Sequence, residues 1–297
     1  MIKRISDLYK IAEQRTDTKK LVLAVAHDNH ALEAVYKASQ KNIIIPILVG
    51  DKSEITKIAE KNNFDLSKIE IIDEKDSKEA VKKSVSLVRE GKADILMKGN
   101  VATAILLKGV LNDEYGLKTG NLLSHFSIFE LNNYHKLIGL TDVAMNIAPN
   151  LKEKAGIIKN AVNYLNKIGI TNPKVAVIGA VELVNEKMPA TVDAAILSKM
   201  ADRKQIPNCT IDGPLAFDNA MSKESAEHKG IISEVAGNSD LLVMPNIETG
   251  NVLYKSFSFT GAKLAAVILG AKAPIVLTSR SDSEEAKLNS IVLAAVS

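Results

Sequence analysis

Hydroxyl, guanidinium and carboxylate side chains follow the last predicted strand of the chain. The apolar run 275–277 leads directly into Thr278-Ser279-Arg280-Ser281-Asp282-Ser283. An arginine can make forked hydrogen bonds to phosphate oxygens, and hydroxyl groups can donate to a developing negative charge. Asp282 can act as a base, although Asp282 or Ser283 could also cap the following helix. This segment is the most site-like of the sequence.

A lysine, a glycine and an asparagine follow a second predicted strand. Residues 95–97 are apolar, and Lys98, Gly99 and Asn100 come next, before a helical pattern that starts at Val101. A flexible glycine, a cation and the exposed amides of a first helical turn suit an anion such as phosphate. The same residue types are common in ordinary strand-to-helix turns. Both interpretations stay open from this segment alone.

A polar loop follows a third predicted strand, 241–244. The loop reads Pro245-Asn246-Ile247-Glu248-Thr249-Gly250-Asn251 and precedes another helical pattern. Glu248 could orient a cation or carry a proton, or it could be a solvated surface carboxylate. Thr249 or Asn251 could simply cap the helix. The density of polar residues in one loop favours a binding site.

Other candidate nucleophiles and metal ligands have simpler structural interpretations. Asp212 and Asp218 flank a Gly-Pro turn, and the turn explains much of that segment's composition without a metal. His27 and His30 lie beside helix-capping residues, and the remaining histidines lack partners at ligand spacing. Cys209 is predicted to be a small buried hydrophobe. For Asp212 and Asp218, a metal site and a plain turn stay equally open at this point.

The composition of the 297-residue chain restricts the class of protein. Apolar residues make up 46% and charged residues 25%, as in a folded globular protein. The formal charge of +3, the 4% aromatic content and the lack of Trp argue against nucleic-acid binding. A single cysteine excludes an intrachain disulfide, and neither a signal peptide nor an apolar run of about 20 residues is visible. We therefore expect a cytoplasmic protein that binds neither nucleic acid nor membrane.

Short apolar, β-branched runs alternate with segments of helical spacing. The predicted strands are 21–26, 43–49, 69–72, 95–97, 137–140, 175–178, 241–244 and 275–278. The predicted helices include 31–40, 77–89, 152–167, 190–203 and 252–269. Region 112–133 is interpreted as a loop with a hairpin-like excursion. The alternation indicates βαβ units and a largely parallel sheet, and ligands bind beyond the carboxyl ends of the strands in such sheets.

Taken together, the polar segments resemble those of the phosphate acetyl/butyryl transferase family. The resemblance runs from about residue 21 to the C-terminus, and the matching stretches follow one another in the family's order. They are residues 94–100, Leu140-Thr141-Asp142, Asp212-Gly213-Pro214-Leu215, Met244-Pro245-Asn246 with Gly250-Asn251, and residues 278–283. The chain lacks the extra segment that acetyl-type members carry before the strand at 95–97, which favours the butyryl-type branch.

The resemblance implies a two-domain, three-layer α/β/α fold with mostly parallel sheets, similar to the isocitrate and isopropylmalate dehydrogenases. Residues 1–120 and 270–297 would form domain I, residues 121–269 would form domain II, and the active site would lie in the cleft between them. The resemblance also implies a homo-oligomer, dimer or larger. It implies no metal and no bound cofactor, because coenzyme A is a substrate or product.

The implied reaction is acyl-CoA plus phosphate giving acyl phosphate plus coenzyme A, by direct attack in a ternary complex. Ser279 and Arg280 match the family's Ser-Arg pair, which holds the phosphate and helps to stabilise charge on the carbonyl oxygen. The phosphate- and coenzyme A-binding positions implied on this chain are Lys98, Gly99, Asn100, Lys108, Asn246, Glu248, Thr249, Gly250 and Asn251. Of these, Lys108 lies close to the position where acetyl-type members carry an arginine.

One position departs from the family's pattern. Acetyl-type members carry an aspartate seven residues after the motif serine, as a base for the thiol, and this chain has Ala286 there. Asp282 is the candidate base, and Glu248 is an alternative.

Three further functions stay open from the sequence. A phosphate acetyltransferase differs only in acyl length, and one methylene in an apolar pocket discriminates by only ~1–3 kcal/mol. A decarboxylating dehydrogenase of the related fold would need acidic metal ligands and a nicotinamide. A non-catalytic acyl-CoA or phosphate-binding protein would be consistent with the alanine at position 286.

Overall fold

A computed structural model describes residues 2–277 and 282–297 of the chain. The chain divides into two compact units. We call Ser6–Asn121 with Ala265–Val296 the terminal unit, and the residues up to Ile5 with Leu122–Leu264 and Ser297 the central unit. The domain bounds expected from the sequence, at 120 and 269, stay a prediction.

Helices and strands alternate along most of the described chain. The helices are α1 Ile5–Gln14, α2 Asn29–Gln40, α3 Lys52–Asn62, α4 Ser77–Arg89, α5 Thr103–Val110, α6 Leu151–Lys167, α7 Pro189–Asp202, α8 Phe217–Met221, α9 Lys223–His228, α10 Ile247–Phe259 and α11 Glu284–Ala295. The strands are β1 Lys19–Ala24, β2 Ile44–Gly50, β3 Glu70–Asp73, β4 Ile95–Lys98, β5 Ser124–Glu130, β6 Ile138–Thr141, β7 Lys174–Ile178, β8 Thr210–Leu215, β9 Leu241–Val243, β10 Lys263–Leu269 and β11 Ile275–Val276.

In the terminal unit, the strands lie in the order β3-β2-β1-β4-β11-β10. They are parallel except for β10, which runs antiparallel to β11. Ala24 of β1 pairs with Lys98 of β4, and Met97 pairs with Val276 of β11. The carboxyl ends of three neighbouring strands therefore lie at one edge of this sheet.

Two helices of the terminal unit, α2 and α4, form where the sequence periodicity predicts them. Helix α4 starts and ends at the predicted residues, and its buried side chains recur at positions 80, 81, 84, 85 and 88, the spacing of one helical face. The Asp76 carboxylate accepts hydrogen bonds from the amides of Lys78 and Glu79 at the start of this helix. An apolar face and a side-chain cap are both local properties, so the sequence alone indicates this element.

In the central unit, the strands lie in the order β5-β6-β9-β7-β8. Strand β5 is antiparallel to β6, and the remaining pairs are parallel. Thr141 of β6 pairs with Val243 of β9, which pairs with Val177 of β7. The residues that follow β6 and β9, Asp142 and Met244, consequently emerge at the same edge.

One sequence-based expectation about elements is wrong, and a second is wrong in part. The predicted helix 252–269 is a helix that ends at Phe259 followed by strand β10, and Gly261 between them has a φ of 86°. The run 264–269 is continuously apolar, and such a run fits a buried strand as well as a buried helix. Region 112–133 does contain the predicted hairpin-like excursion, because β5 pairs antiparallel with β6, but the part interpreted as loop includes the whole of strand β5. The α/β fold class with a mostly parallel sheet is confirmed.

Length and hydropathy decide whether a helix can span a bilayer. None of the described helices is both long enough and apolar enough to span a membrane.

A histidine is buried in the central unit. His125 of β5 is 6% exposed, and its Nδ1 has no hydrogen-bond partner among the described residues. Its ring packs edge-on against Tyr254 of α10, with 5.6 Å between ring centroids. Burial lowers the pKa of His125 well below its ordinary value of 6.5, while the nearby Asp142 carboxylate opposes that shift. His125 is therefore neutral in the folded protein at neutral pH.

Replacing His125 with Leu should make the stability of the protein less dependent on pH. The unfolded chain binds a proton at this imidazole as the pH falls through about 6.5, whereas the folded chain resists protonation to lower pH. The free energy of unfolding of the wild type should therefore decrease more between about pH 7.5 and 5.5 than that of His125→Leu. Urea denaturation at both pH values measures the two decreases, and equal decreases would contradict this account.

Candidate active site

The loop after β4 contains a buried cation. Lys98 is 9% exposed, and its Nζ donates to the carbonyl oxygens of Gly99 at 3.1 Å and Val101 at 3.3 Å. A buried ammonium group needs such oxygen partners, because desolvation strongly disfavours an unpaired charge. These contacts hold the positive charge at the carboxyl end of β4. Lys98 is thus a fixed cation at the predicted edge of the sheet.

The amides of Gly99 and Asn100 are bonded within the sheet, whereas the anion site expected at the first turn of the following helix stays a prediction. The amide of Gly99 donates to the carbonyl of Ala24 at 2.9 Å, and that of Asn100 donates to Val25 at 2.8 Å. The helix expected from Val101 begins two residues later, at Thr103. Because β1 lies beside β4, its terminal carbonyls accept these amides. What the loop offers to a ligand is the charge of Lys98 and the exposed side chain of Asn100.

Gly99 is required by a close approach of two backbones. A Cβ atom at this position would lie 2.3 Å from the carbonyl oxygen of Val25 and 2.7 Å from that of Ala24. Val25 itself adopts a φ of 56°, which is rare for a β-branched residue. The end of β1 and the loop after β4 are therefore interlocked, and unusual backbone conformations of this kind concentrate at functional sites.

The second predicted segment of the terminal unit starts on the neighbouring strand. Val276 of β11 pairs with Met97, so Leu277 emerges beside Lys98 at the same edge of the sheet. Ser279 and Arg280 lie outside the described residues, and their roles stay predictions. Parallel pairing of β4 and β11 nonetheless starts both predicted phosphate-binding segments from adjacent strand ends.

Asp282 and Ser283 precede the last helix. The Oγ of Ser283 accepts a hydrogen bond from the amide of Ala286 at 3.1 Å, so Ser283 is the residue that caps α11. Asp282 is half-buried, and its backbone carbonyl accepts a hydrogen bond from Lys287 Nζ at 2.6 Å. The assignment of Asp282 as base stays a prediction. Helix capping, the alternative role for Asp282, belongs to Ser283.

Lys108 has a structural interpretation beside the predicted one. It lies exposed in the last turn of α5, where a cation interacts favourably with the helix dipole. Its predicted binding role is not tested by any contact among the described residues.

The polar loop of the central unit forms the start of α10. Asn246 caps this helix, because its Oδ1 accepts from the amide of Thr249 at 3.0 Å and from the Thr249 hydroxyl at 2.8 Å. The expectation that Thr249 or Asn251 is the cap was wrong. The side-chain oxygen of Asn246 can reach the amide three residues later, and this preference belongs to the residue before the helix. Glu248 is exposed in the first turn.

Two of the predicted binding residues hold α10 against the loop after β6. Gly250 is buried, and a Cβ atom there would lie 2.4 Å from the carbonyl oxygen of Asp142. The side-chain amide of Asn251 donates to the carbonyl of Val143 at 3.2 Å. Gly250 and Asn251 thus have a packing role on the loop after β6. Glu248 and Thr249 are the exposed members of this group.

Sequence reasoning missed Asp142 as a residue that organises this part of the unit. It is 3% exposed and accepts three hydrogen bonds. The sequence feature that could have identified Asp142 is a carboxylate just after a predicted strand. The stretch Leu140-Thr141-Asp142 entered the prediction only as part of the family's pattern.

Other groups set aside on sequence grounds have ordinary surroundings. Burial raises the pKa of the half-buried Cys209 thiol to about 11, so this thiol is a poor nucleophile at neutral pH. Asp212 accepts from the amide of Gly213 at 2.8 Å, within strand β8 rather than a free turn. Within residues 2–277 and 282–297, no group of three or more His, Cys, Asp or Glu side chains could hold a metal ion.

Comparison of the sequence with known protein families identifies the family of this chain. A family model described as phosphate acetyl/butaryl transferase matches residues 5–87 and 78–295. The chain belongs to the phosphate acetyl/butyryl transferase family. The predicted resemblance is therefore confirmed, and the chain is an acyltransferase by its relatives.

Relatives within the family align over almost the full length. A phosphate butyryltransferase of Clostridium acetobutylicum is 51% identical over 297 residues, covering 100% of this chain and 98% of the relative. A phosphate acetyltransferase of Thermotoga maritima is 45% identical over 97% of this chain and 99% of its own. The crystal structure of a branched-chain phosphotransacylase from Enterococcus faecalis V583 has a TM-score of 0.83 at 35% identity and covers 94% of this chain and 98% of that chain.

Replacing Gly99 with Ala should impair acyl transfer strongly, by about 10²-fold, because the added methyl group would displace the backbone that holds Lys98. Steady-state thiol release from acyl-CoA with phosphate measures this loss. Gly156→Ala is the matched control, since a Cβ atom at that position of α6 meets nothing within 4 Å. A normal rate for Gly99→Ala would show that the loop has room to shift.

Proposed function

We propose that this protein transfers a butyryl group between coenzyme A and inorganic phosphate. The observation that carries the proposal is the full-length identity of 51% to a phosphate butyryltransferase, which leaves no part of the chain without a counterpart. The predicted substrate-binding residues belong to segments that align in the same order in this family. Butyryl-CoA plus phosphate would give butyryl phosphate plus coenzyme A.

The proposed reaction needs no nucleophile from the protein. A phosphate oxygen attacks the thioester carbonyl carbon, the new C–O bond forms, and the C–S bond breaks to release the thiolate of coenzyme A. In the reverse direction, the thiol loses its proton and its sulfur attacks the acyl phosphate. The fixed charge of Lys98 supports this proposal, since a desolvated cation attracts phosphate more strongly than a solvated one. Arg280 would add forked hydrogen bonds to the phosphate oxygens.

The base for the thiol is proposed to be Asp282, with Glu248 as the alternative. Ala286 is 5% exposed and offers no proton acceptor at the position where acetyl-type members carry an aspartate. A thiol is more acidic than an alcohol, so a base here contributes only about 10²-fold. Coenzyme A is proposed as substrate and product, with no resident cofactor or metal.

Acetyl transfer is the second candidate function. It is supported by the phosphate acetyltransferase relative, whose 45% identity is close to that of the butyryl-type relative. The two functions differ by two methylene groups of one substrate. Acyl length is therefore decided by pocket volume rather than by the residues that hold the phosphate.

We also propose that the protein is a cytoplasmic homo-oligomer, a dimer or larger. Several large apolar side chains of the central unit are strongly exposed, and contact with a second copy of the chain would remove them from water. They include Leu183 at 78%, Val252 at 66% and Phe259 at 94% exposure. A second copy of the chain would cover such a surface.

Release of free thiol from butyryl-CoA by the purified protein tests the proposed function. Thiol release that requires inorganic phosphate would support acyl transfer, and the ratio of the rates with butyryl-CoA and acetyl-CoA would give the acyl preference. Arg280→Ala should be at least about 10²-fold slower, because the charge-assisted phosphate contacts are lost. Binding of coenzyme A without any phosphate-dependent release would instead indicate the non-catalytic binding protein.

Sedimentation equilibrium tests the proposed oligomer. We expect a mass of at least twice that of one chain at micromolar concentration, and a reduced mass for Val252→Asp, because a charge in an apolar interface lacks a partner. A wild-type protein that sediments as a monomer would contradict the proposal.

A further inference from the structure

The loop that follows β6 is organised around one buried carboxylate. Asp142 Oδ1 accepts hydrogen bonds from the amides of Ala144 at 2.8 Å and Met145 at 3.0 Å. Its Oδ2 accepts from Asn146 Nδ2 at 2.6 Å. The same Asn146 nitrogen donates to the carbonyl of Leu123 at 2.9 Å. A side chain that is 3% exposed thus fixes the path of residues 142–147, which we call the Asp142 loop.

The Asp142 loop is the surface on which α10 begins. The amide of Ile247 donates to the carbonyl of Ile147 at 2.9 Å, and Asn251 Nδ2 donates to the carbonyl of Val143 at 3.2 Å. Gly250 lies directly against the loop, since a Cβ atom there would meet the Asp142 carbonyl oxygen. Both ends of the loop therefore contact the first turns of the helix. A change in the shape of the loop would move this part of α10.

The strand beneath the loop gives it a rigid base. The hydroxyl of Thr141 donates to the carbonyl of His125 at 2.7 Å, and the amide of Met244 donates to the carbonyl of Thr141 at 2.7 Å. The position of Asp142 is consequently set by its neighbours on β5 and β9. A carboxylate held in this way can dictate the geometry of the loop rather than follow it.

We propose that Asp142 is a positioning residue for acyl transfer, because it holds the Asp142 loop in the shape that places Asn246, Glu248 and Thr249 at the start of α10. The inference rests on the proposed function of this segment in substrate binding. Asp142 acts through the loop and touches no reacting atom. In the proposed function, phosphate is bound by Lys98 and Arg280, which belong to other segments, so loss of Asp142 affects chiefly the acyl-CoA substrate.

A carboxylate suits this position better than an amide. Asp142 meets three donors, and two acceptor oxygens with negative charge satisfy all of them with charge-assisted bonds. An asparagine would keep the acceptor for the two amides but would turn an NH2 group towards the NH2 of Asn146. An alanine would leave all three donors without this partner, and the loss of these partly buried hydrogen bonds would loosen the loop. Asp142→Ala should therefore disturb the loop more than Asp142→Asn.

The test compares Asp142→Asn and Asp142→Ala with a matched control, Asp240→Ala. Asp240 also accepts a backbone amide, that of Lys174 at 2.8 Å, and pairs with Lys136 at 2.6 Å. It lies directly before β9, at the amino edge of the same sheet, whereas Asp142 follows the carboxyl end of β6. The control thus removes a similar polar anchor from the opposite edge.

The expected result is a selective loss on the acyl-CoA side. The kcat/KM for butyryl-CoA should fall by about tenfold in Asp142→Asn and by about 10²-fold in Asp142→Ala. The KM for phosphate should change less than threefold, and Asp240→Ala should lower thermal stability without this selectivity. Hydrogen–deuterium exchange of residues 244–252 should be faster in both Asp142 variants and normal in Asp240→Ala.

Two outcomes separate the inference from the proposed function. A wild type without phosphate-dependent transfer would overturn the proposed function, and unchanged exchange of residues 244–252 in Asp142→Asn would overturn the positioning role by itself. Equal losses for both substrates in Asp142→Asn and Asp240→Ala would also overturn it, because they would show general destabilisation. If Asp142→Ala does not fold, Asp142→Asn alone decides through its KM and exchange measurements.

Discussion

Backbone groups at the ends of the parallel strands need hydrogen-bond partners, and this requirement shapes the predicted binding segments of each unit. After β4, the amides of Gly99 and Asn100 are satisfied by the last carbonyls of β1. After β6, the amides of Ala144 and Met145 are satisfied by the carboxylate of Asp142. These loop amides are therefore bonded within the protein. Only the groups that remain can contact a substrate.

This requirement changes where binding energy for an anion can come from. The amides of Gly99 and Asn100 are already used, so attraction of an anion after β4 would come from the charge of Lys98 and from the start of α5. Lys98 is held by two carbonyl oxygens and is nearly inaccessible to water. Fixed charges of this kind require little reorganisation when charge develops in a reaction. In the proposed direct transfer between two substrates, the terminal unit supplies electrostatics rather than a nucleophile.

The central unit has a different character. Among the residues of α10, Gly250 is the buried one, and Val252 and Phe259 are largely exposed. A helix with so little buried surface depends on polar anchors at its start, namely the cap by Asn246 and the contacts with the loop after β6. Hydrogen bonds there add to the aromatic packing of Tyr254 and Phe257 on Phe129 of β5, whereas α4 in the terminal unit has a continuous buried face. Small changes in the cap or in the loop contacts should therefore shift the first turn of α10.

The sequence by itself determined the features that depend on neighbouring residues. The α/β alternation, the bounds of α4 and the family's motifs follow from local periodicity, capping and residue order. The polar junctions were recognised as strand ends, but their partners were not. The strand β10 was mistaken for helix because a continuous apolar run carries no period.

The tertiary structure alone decided which groups of those junctions are used up. Gly99 meets the end of β1, Gly250 meets the loop after β6, and Thr141, directly before Asp142, bonds to His125 of β5. Each of these partners is distant in sequence and is brought close by strand pairing. Single-residue propensities contain no information about such partners, because a hydrogen bond between distant segments is fixed by the register of the sheet and not by the residues that flank either group.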